Sequence, residues 1–298
     1  MKSNEENINK NSLANETKII LQKHGIRLNK NLGQNYLIDD FKRKKIINFA
    51  EISKRDTILE VGPGIGTLTI EMSKSAKKII AIEQDNKIFK ILSERVKDEE
   101  IDNIEIINED ALNVDISIFS ECNKIVSNLP YQISSPITFK FLEFDFDLAI
   151  LMYQKEFANR MIAKTGEKNY SRLSAMLHFK TDIKFLDNVS PQSFIPQPKI
   201  YSSVIKLTPI KNEKYFLNME NERDYSKICK AIFPHKNKKI RNALIDSRNI
   251  LGYNDKKSLK CLLDSNSSLE PFLAKRAAKT SPEEILELTN LIKPIIKL

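Results

Sequence analysis

Thr57-Ile-Leu-Glu-Val-Gly-Pro-Gly-Ile-Gly66 is the stretch that decides the fold. Thr57 to Val61 reads as a short buried strand, and Leu68–Ser75 beyond the glycines reads as a helix. Glycine adopts positive φ and lets the backbone approach a ligand closely, so three glycines between strand and helix predict a ligand-binding turn. Ala81-Ile-Glu83 ends a second strand twenty-one residues past Gly62. An acid at that distance accepts hydrogen bonds from both ribose hydroxyls of a nucleoside. Asn108-Glu-Asp110-Ala111 closes a third strand, where the Asp110 carboxylate is placed to accept from an adenine amino group. The other reading is a set of ordinary tight turns with solvated acids; three hits at the correct strand ends outweigh it. The spacing Gly-x-Gly-x-Gly departs from the dinucleotide fingerprint, and no Gly-Lys-Ser/Thr phosphate loop exists. A nucleoside-type cofactor without a pyrophosphate remains, and S-adenosylmethionine fits.

Outward from this stretch, strand-like and helix-like segments alternate. Strands are expected at Thr57–Val61, Lys78–Glu83, Ile104–Asn108, Lys124–Ser127 and Leu148–Tyr153. Helices are expected at Leu68–Ser75, Asn86–Val96, Pro136–Leu142, Lys155–Ile162 and Tyr170–Phe179. Such alternation predicts a parallel, doubly wound α/β sheet. Ile183–Val189 and Ser203–Leu207 follow without a helix between them, which suggests an antiparallel pair at one sheet edge. Phe194-Ile-Pro196-Gln-Pro198-Lys199 between them reads as a rigid extended linker. After Pro209 only helical patterns remain: Glu222–Ile232, Asn237–Ser247, Lys256–Leu263 and Pro282–Ile292. The expected organisation is a tail over 1–14, a Rossmann-like domain over 15–210 and a small all-α domain over 211–298. Ahead of the sheet, Glu16–Lys23 reads as a helix closed by Gly25.

Asn128-Leu-Pro-Tyr131 ends the fourth strand. Alone, Asn and Pro there would read as a turn signal. At a strand's carboxyl end in an α/β sheet they are also placed as a site. The amide hydrogen-bonds a base edge, and the ring stacks on its face.

The charge is uneven. Of a formal net +9, residues from Lys211 onward carry +7, with 18 Lys/Arg against 11 Asp/Glu. That points to a polyanion, with nucleic acid the usual one, or equally to lysine-rich solvated helix faces. Cys122, Cys229 and Cys261 lie far apart, as do His24, His178 and His235, so no metal site assembles by spacing. A reduced, cytoplasmic protein without a membrane span is expected.

With these motifs in order, the chain resembles the ribosomal RNA adenine N6-dimethyltransferases of the small subunit. The resemblance runs from about Asn31 to the C-terminus. It rests on Gly33-Gln-Asn35-Tyr-Leu37, the glycine turn, Glu83, Asp110, Asn128–Tyr131, Phe194–Lys199, Arg241-Asn-Ala-Leu244 and Arg276-Ala-Ala278. It implies S-adenosylmethionine as cofactor, with Asn35, Leu37, Gly62, Gly64, Glu83, Asp110 and Asn128 contacting it. It implies dimethylation of two adjacent adenosines near the 3′ end of the small-subunit rRNA, on an immature small ribosomal subunit, by a monomer. Tyr36 stands where the family usually has Phe, and Gln132 where Asn is usual.

For the chemistry, the Asn128 side-chain oxygen and the Leu129 or Pro130 carbonyl are candidate acceptors for the two N6 hydrogens, with Tyr131 stacking on the base. Phe194 is either a second clamp on that base or part of a packed linker. Lys236, Lys239 and Arg241, with Lys238, are either phosphate contacts or a solvated face. Two rival readings stay open. One is a large-subunit rRNA methyltransferase, disfavoured by Pro196–Lys199 and Arg241–Leu244. The other is an assembly factor that keeps the fold without needing catalysis.

Overall fold

The computed structural model describes residues 12–26, 35–210 and 219–296. They fall into two compact units. One holds the residues up to Ala158 together with Ile183–Pro209; the other holds Asn159–Asp182 and the chain from Ile210 onward.

The first unit is built on nine strands: β1 Tyr36–Leu37, β2 Thr57–Val61, β3 Lys78–Ile82, β4 Ile104–Ile107, β5 Lys124–Asn128, β6 Leu148–Gln154, β7 Thr181–Val189, β8 Phe194–Ile195 and β9 Ser202–Pro209. β1 and β8 form a small antiparallel ribbon. The other seven form one sheet in the order β4-β3-β2-β5-β6-β9-β7. Its first five strands run parallel. β9 lies antiparallel to β6, with Met152 opposite Val204. The two late strands are therefore neighbours at one edge, as the sequence suggested, with β9 inserted between β6 and β7.

Central parallel strands are covered on both faces and so consist of nearly continuous apolar residues. Leu148 to Tyr153 of β6 are all buried, which is why this run was legible. The strand order steps outward from β2 to β4 and then returns to β5 on the other side of β2. That reversal leaves a crevice beyond the carboxyl ends of β2 and β5, where open sheets of this kind bind ligands.

Helices flank the sheet. Asn86–Asp98 begins at Asp85, whose carboxylate accepts from the Lys87 and Ile88 amides at 2.8 and 3.2 Å. It turns Ile88, Ile91 and Leu92 inward, three and four residues apart. Two helices of this unit were not anticipated: Asp40–Phe49, capped by Asp39 accepting from the Lys42 amide, and Ile116–Ser120. The first helix starts at Leu13 with Ser12 accepting from the Asn15 amide. Residues 12–14 are thus ordered by a cap and are not tail; residues 1–11 of the expected tail lie outside the described residues. At the helix end Gly25 takes φ 62° and donates to the Gln22 carbonyl at 3.1 Å.

The second unit is helical: Arg172–Leu177, Met219–Ile232, Ile240–Asp246, Lys256–Asp264, Glu270–Leu273 and Pro282–Ile292. Asn159–Asp182 belongs here, which corrects the expected unbroken domain over 15–210. Tyr170, Ala175 and Phe179 share a core with Tyr225, Ile228, Ile232 and Leu288. Two buried hydroxyls tie the segment in: Tyr170 donates to the Thr280 carbonyl and Tyr225 to that of Ala175, at 3.0 and 3.1 Å.

Candidate active site

The site begins where β2 ends. Gly62 and Gly64 take φ of 71° and 58°, a region that side-chain-bearing residues rarely occupy. Space forbids a side chain as well. A Cβ on Gly62 would stand 3.0 Å from the Pro130 ring, and one on Gly64 3.3 Å from the Tyr36 ring. The turn is tied to the next strand: Gly62 donates to the Ile82 carbonyl at 2.9 Å, and Gly64 donates to Glu83 Oε2 at 3.2 Å.

Glu83 follows β3 and is 9% exposed. Its other oxygen accepts from the Asp85 amide at 2.9 Å. Burial pushes its carboxyl above the ordinary range, against the pull of these amide donors. A carboxylate offers about four lone-pair directions, so two amide bonds leave capacity for a diol. Asn108 fixes the adjacent backbone by donating to the Glu83 carbonyl at 2.8 Å. Beyond β4, Asp110 accepts from the Leu112 amide at 2.9 Å.

At the end of β5, the Asn128 amide nitrogen donates to the Asn35 carbonyl at 3.1 Å. A carbonyl oxygen accepts only, so this bond assigns the nitrogen to that side and Oδ1 to the opposite end of the amide. Leu129 is buried, and Tyr131 starts a short 3₁₀ turn over Tyr131–Ile133. The Tyr131 hydroxyl is anchored 2.8 Å from Ser202 Oγ on β9. Burial raises its pKa, so it stays a neutral phenol.

Asn35, Leu37, Gly62, Gly64, Glu83, Asp110, Asn128, Leu129, Pro130 and Tyr131 all line one cavity of about 570 Å³. That is within the size range of small-ligand sites. Gly33 and Gln34 of the arm lie outside the described residues.

The remaining expected site residues fall elsewhere. Phe194 is fully buried among Leu37, Val189 and Val204, paired across the ribbon with Leu37. Phe194 is not among the residues that line the cavity, which favours the packed-linker alternative over the base clamp. In the helical unit, Lys236 donates to the carbonyls of Lys168 and Tyr170 at 3.0 and 2.9 Å. Arg241 grips Asp264 through Nε and Nη2 at 2.6 and 2.5 Å. Both cations are engaged within their own unit, although Arg241 keeps 30% of its side chain exposed. Lys238 is likewise paired, with Asp246 at 2.8 Å. Lys239 remains exposed.

Glu60 was missed. It sits inside β2, 1% exposed, and lines the same cavity. Oε2 has no hydrogen-bond partner. Burial pushes its pKa up to about 8, and the neighbouring Glu83 charge pushes the same way. The available signal was an acid inside the apolar run Ile58-Leu-Glu60-Val61.

The glycine cradle, the Glu83 carboxylate and the acceptor at Asp110 fit a nucleoside whose tail carries no phosphate. Among the described residues no cluster of His, Cys, Asp or Glu could hold a metal, and no helix is long and apolar enough to cross a membrane. A parallel sheet with a switch-point cavity of this make-up defines an S-adenosylmethionine-dependent methyltransferase.

Comparison with known proteins narrows the class. A family model described as ribosomal RNA adenine dimethylase matches residues 25–263. The "Probable ribosomal RNA small subunit methyltransferase A" of Methanosphaera stadtmanae is 48% identical over 277 residues, covering 93% of this chain and 98% of that protein. Among solved structures, a dimethyladenosine transferase from Plasmodium falciparum has a TM-score of 0.73 at 29% identity, over 87% of this chain and 98% of its own. The 23S rRNA methyltransferase ErmE shares the fold, with a TM-score of 0.60 at 24% identity, over 89% of this chain and 100% of its own. The chain belongs to the ribosomal RNA adenine dimethylase family, and its activity is methyl transfer from S-adenosylmethionine to rRNA adenine.

Proposed function

We propose that the protein dimethylates N6 of two adjacent adenosines near the 3′ end of the small-subunit (16S) rRNA, acting in the cytoplasm as a monomer on immature small subunits. The observation that carries the chemistry is the Asn128 amide, held with its nitrogen on the Asn35 carbonyl at 3.1 Å and its oxygen at the other end. In the cavity shared with Glu83 and the glycine turn, that oxygen accepts one N6 hydrogen. The Leu129 or Pro130 carbonyl accepts the other.

Bound S-adenosylmethionine supplies an electrophilic methyl on sulfur. The chain's task is the nucleophile. Adenine's N6 lone pair is delocalised into the ring, and two acceptors aimed at its hydrogens draw the nitrogen toward a tetrahedral, more nucleophilic geometry. Tyr131, pinned to Ser202, stacks on the extruded base; such stacking is worth about 1–3 kcal/mol. The nitrogen becomes acidic once attacked, so no strong base is required beside it. After the first transfer one N–H is gone, and the second transfer relies on one acceptor fewer. Glu83 holds the ribose, Asp110 the adenine amino group, and Gly62, Gly64, Asn35 and Leu37 the remaining wall. In the helical unit Lys236, Lys239 and Arg241 are the candidates for phosphate contacts, and Lys239 is the exposed one.

The small-subunit reading is supported by the relative's name and by the sequence blocks Pro196–Lys199 and Arg241–Leu244. The test is to incubate the protein with labelled S-adenosylmethionine and small subunits lacking these methyl groups, then map the modified bases. Two adjacent dimethyladenosines are expected. Label at other small-subunit positions, or none where large subunits offered in a parallel incubation are labelled instead, would refute the assignment.

A further inference from the structure

An exposed aromatic side chain stands at the same rim of the sheet as the catalytic turn. Tyr201 is 49% exposed, immediately before β9, and its carbonyl accepts from the Lys155 amide at 2.9 Å. This bond extends the β6–β9 ladder by one pair past Gln154 and Ser202. The Lys155 ammonium lies 5.6 Å from the Tyr201 ring centroid. Phe41 and Phe185 are also exposed, yet among the described residues Tyr201 alone of the exposed aromatics carries a cation over its ring. Ile200 beside it is 42% exposed, and Lys199 is exposed too. The next residue, Ser202, is wholly buried and holds the Tyr131 hydroxyl at 2.8 Å. Tyr201 is therefore one residue from the anchor of the ring that stacks on the target base.

We propose that Tyr201, flanked by Lys155 and Lys199, is the platform for the nucleotide that adjoins the adenosine being methylated. The inference rests on the proposed function, in which two neighbouring adenosines are substrates. The cavity takes one base at a time. Extruding that base breaks its stack with its neighbour, and the neighbour then has an uncovered face. A solvent-exposed tyrosine offers a replacement face, and stacking of this kind is tolerant of base identity because every base has a π-face. The Lys155 ammonium at the ring and the exposed Lys199 two residues earlier in the chain offer cations to the linking phosphate. A cation already stacked on the tyrosine contributes to the platform rather than competing with it, since a base and a lysine occupy opposite faces or edges of one ring.

The test compares Tyr201→Ala with Tyr201→Phe, using small subunits lacking the two dimethyladenosines as substrate. Tyr201→Ala should raise KM for the subunit by about tenfold, the size of one lost base stack. The fraction of product carrying methyl groups on both adenosines should fall with it. Tyr201→Phe keeps the ring and should stay within about twofold of the parent protein. Affinity for S-adenosylmethionine should be unchanged in both, which verifies the fold of the cofactor cavity. A Tyr201→Ala protein with the parent KM and product distribution would overturn the proposal. So would equal impairment of the Ala and Phe variants, because the hydroxyl and not the ring would then matter. A parent protein that leaves small subunits unmethylated would refute the proposed function itself, a separate outcome from either of these.

Discussion

Replacing Glu60 by Gln gives a stability difference whose size depends on pH. In the folded protein burial raises the Glu60 pKa from 4.5 to about 8, with the Glu83 charge adding to the effect. The unfolded chain ionises this group near its ordinary value. Between these two pH values the folded state keeps a proton that the unfolded state has released, so rising pH favours unfolding. The stability associated with the neutral acid is whole below about pH 4.5 and is lost as pH climbs to about 8. At about 1.4 kcal/mol per pH unit of separation, the span is worth on the order of 5 kcal/mol, an upper bound because relaxation around the group reduces it. Gln does not titrate. Glu60→Gln should therefore differ from the parent by a constant offset below pH 4.5 and gain on it steadily up to about pH 8. Denaturant unfolding of the cofactor-free proteins from pH 4.5 to 9 reads this directly. A difference that stays flat across that range would show that Glu60 is ionised in the folded state, and the reasoning from its burial would be wrong.

Glu83→Ala should weaken S-adenosylmethionine binding at least tenfold by calorimetry, since a charge-assisted hydrogen bond contributes about 1.5–3 kcal/mol, and unchanged affinity in a folded variant would remove the ribose assignment. Asn128→Ala should retain the fold while methyl transfer drops on the order of 100-fold, the scale seen when one preorganised polar contact to a reacting group is removed; turnover and RNA binding near the parent level would make Asn128 a turn residue only. Asp56→Asn tests the other end of the sheet. Burial there raises the carboxyl, but Asn123, Ser53 and Lys124 more than reverse it and hold it at about 2. The variant removes the carboxylate beside the buried Lys124 ammonium, which keeps the Glu51 carbonyl at 2.7 Å, and should cost about 3 kcal/mol at neutral pH. That deficit should shrink as pH falls below about 4 toward 2, where the parent loses the same interaction, and an unfolding profile without such convergence would refute the pairing.

How legible the molecule was in its sequence follows from which interactions are local. Buried parallel strands are continuous apolar runs, so Thr57–Val61 and Leu148–Gln154 stood out. The helix Asp40–Phe49 was hidden because four successive cations, Lys42 to Lys45, mask its apolar face. The cofactor half of the cavity was readable because each of its residues sits at a strand end, a position that sequence can locate. For Phe194, Lys236 and Arg241 the sequence left two readings open, for the opposite reason. Their partners lie far away in the chain: Leu37 across the ribbon, the Lys168 and Tyr170 carbonyls, and Asp264. A lone cation in sequence carries no mark of the carboxylate that will occupy it. Asn159–Asp182 was assigned to the sheet because it continues the strand–helix rhythm. Its membership of the helical unit is decided by Tyr170 and Phe179 finding Tyr225 and Phe233, contacts no local pattern announces.

The contact between Gly62 and Pro130 makes one hinge pin out of two recognition elements. In the proposed function, the glycine belongs to the loop that receives the methyl donor and the proline to the turn that presents acceptors to the methyl recipient; both line one cavity. A Cβ at position 62 would stand only 3.0 Å from the pyrrolidine ring, so a side chain there has to push the two turns apart. The absence of a side chain at position 62 is what lets the two turns lie against each other. Kinetic effects of any substitution at position 62 will consequently appear in both substrates' constants at once, and a variant that alters one alone has to be sought further from this joint.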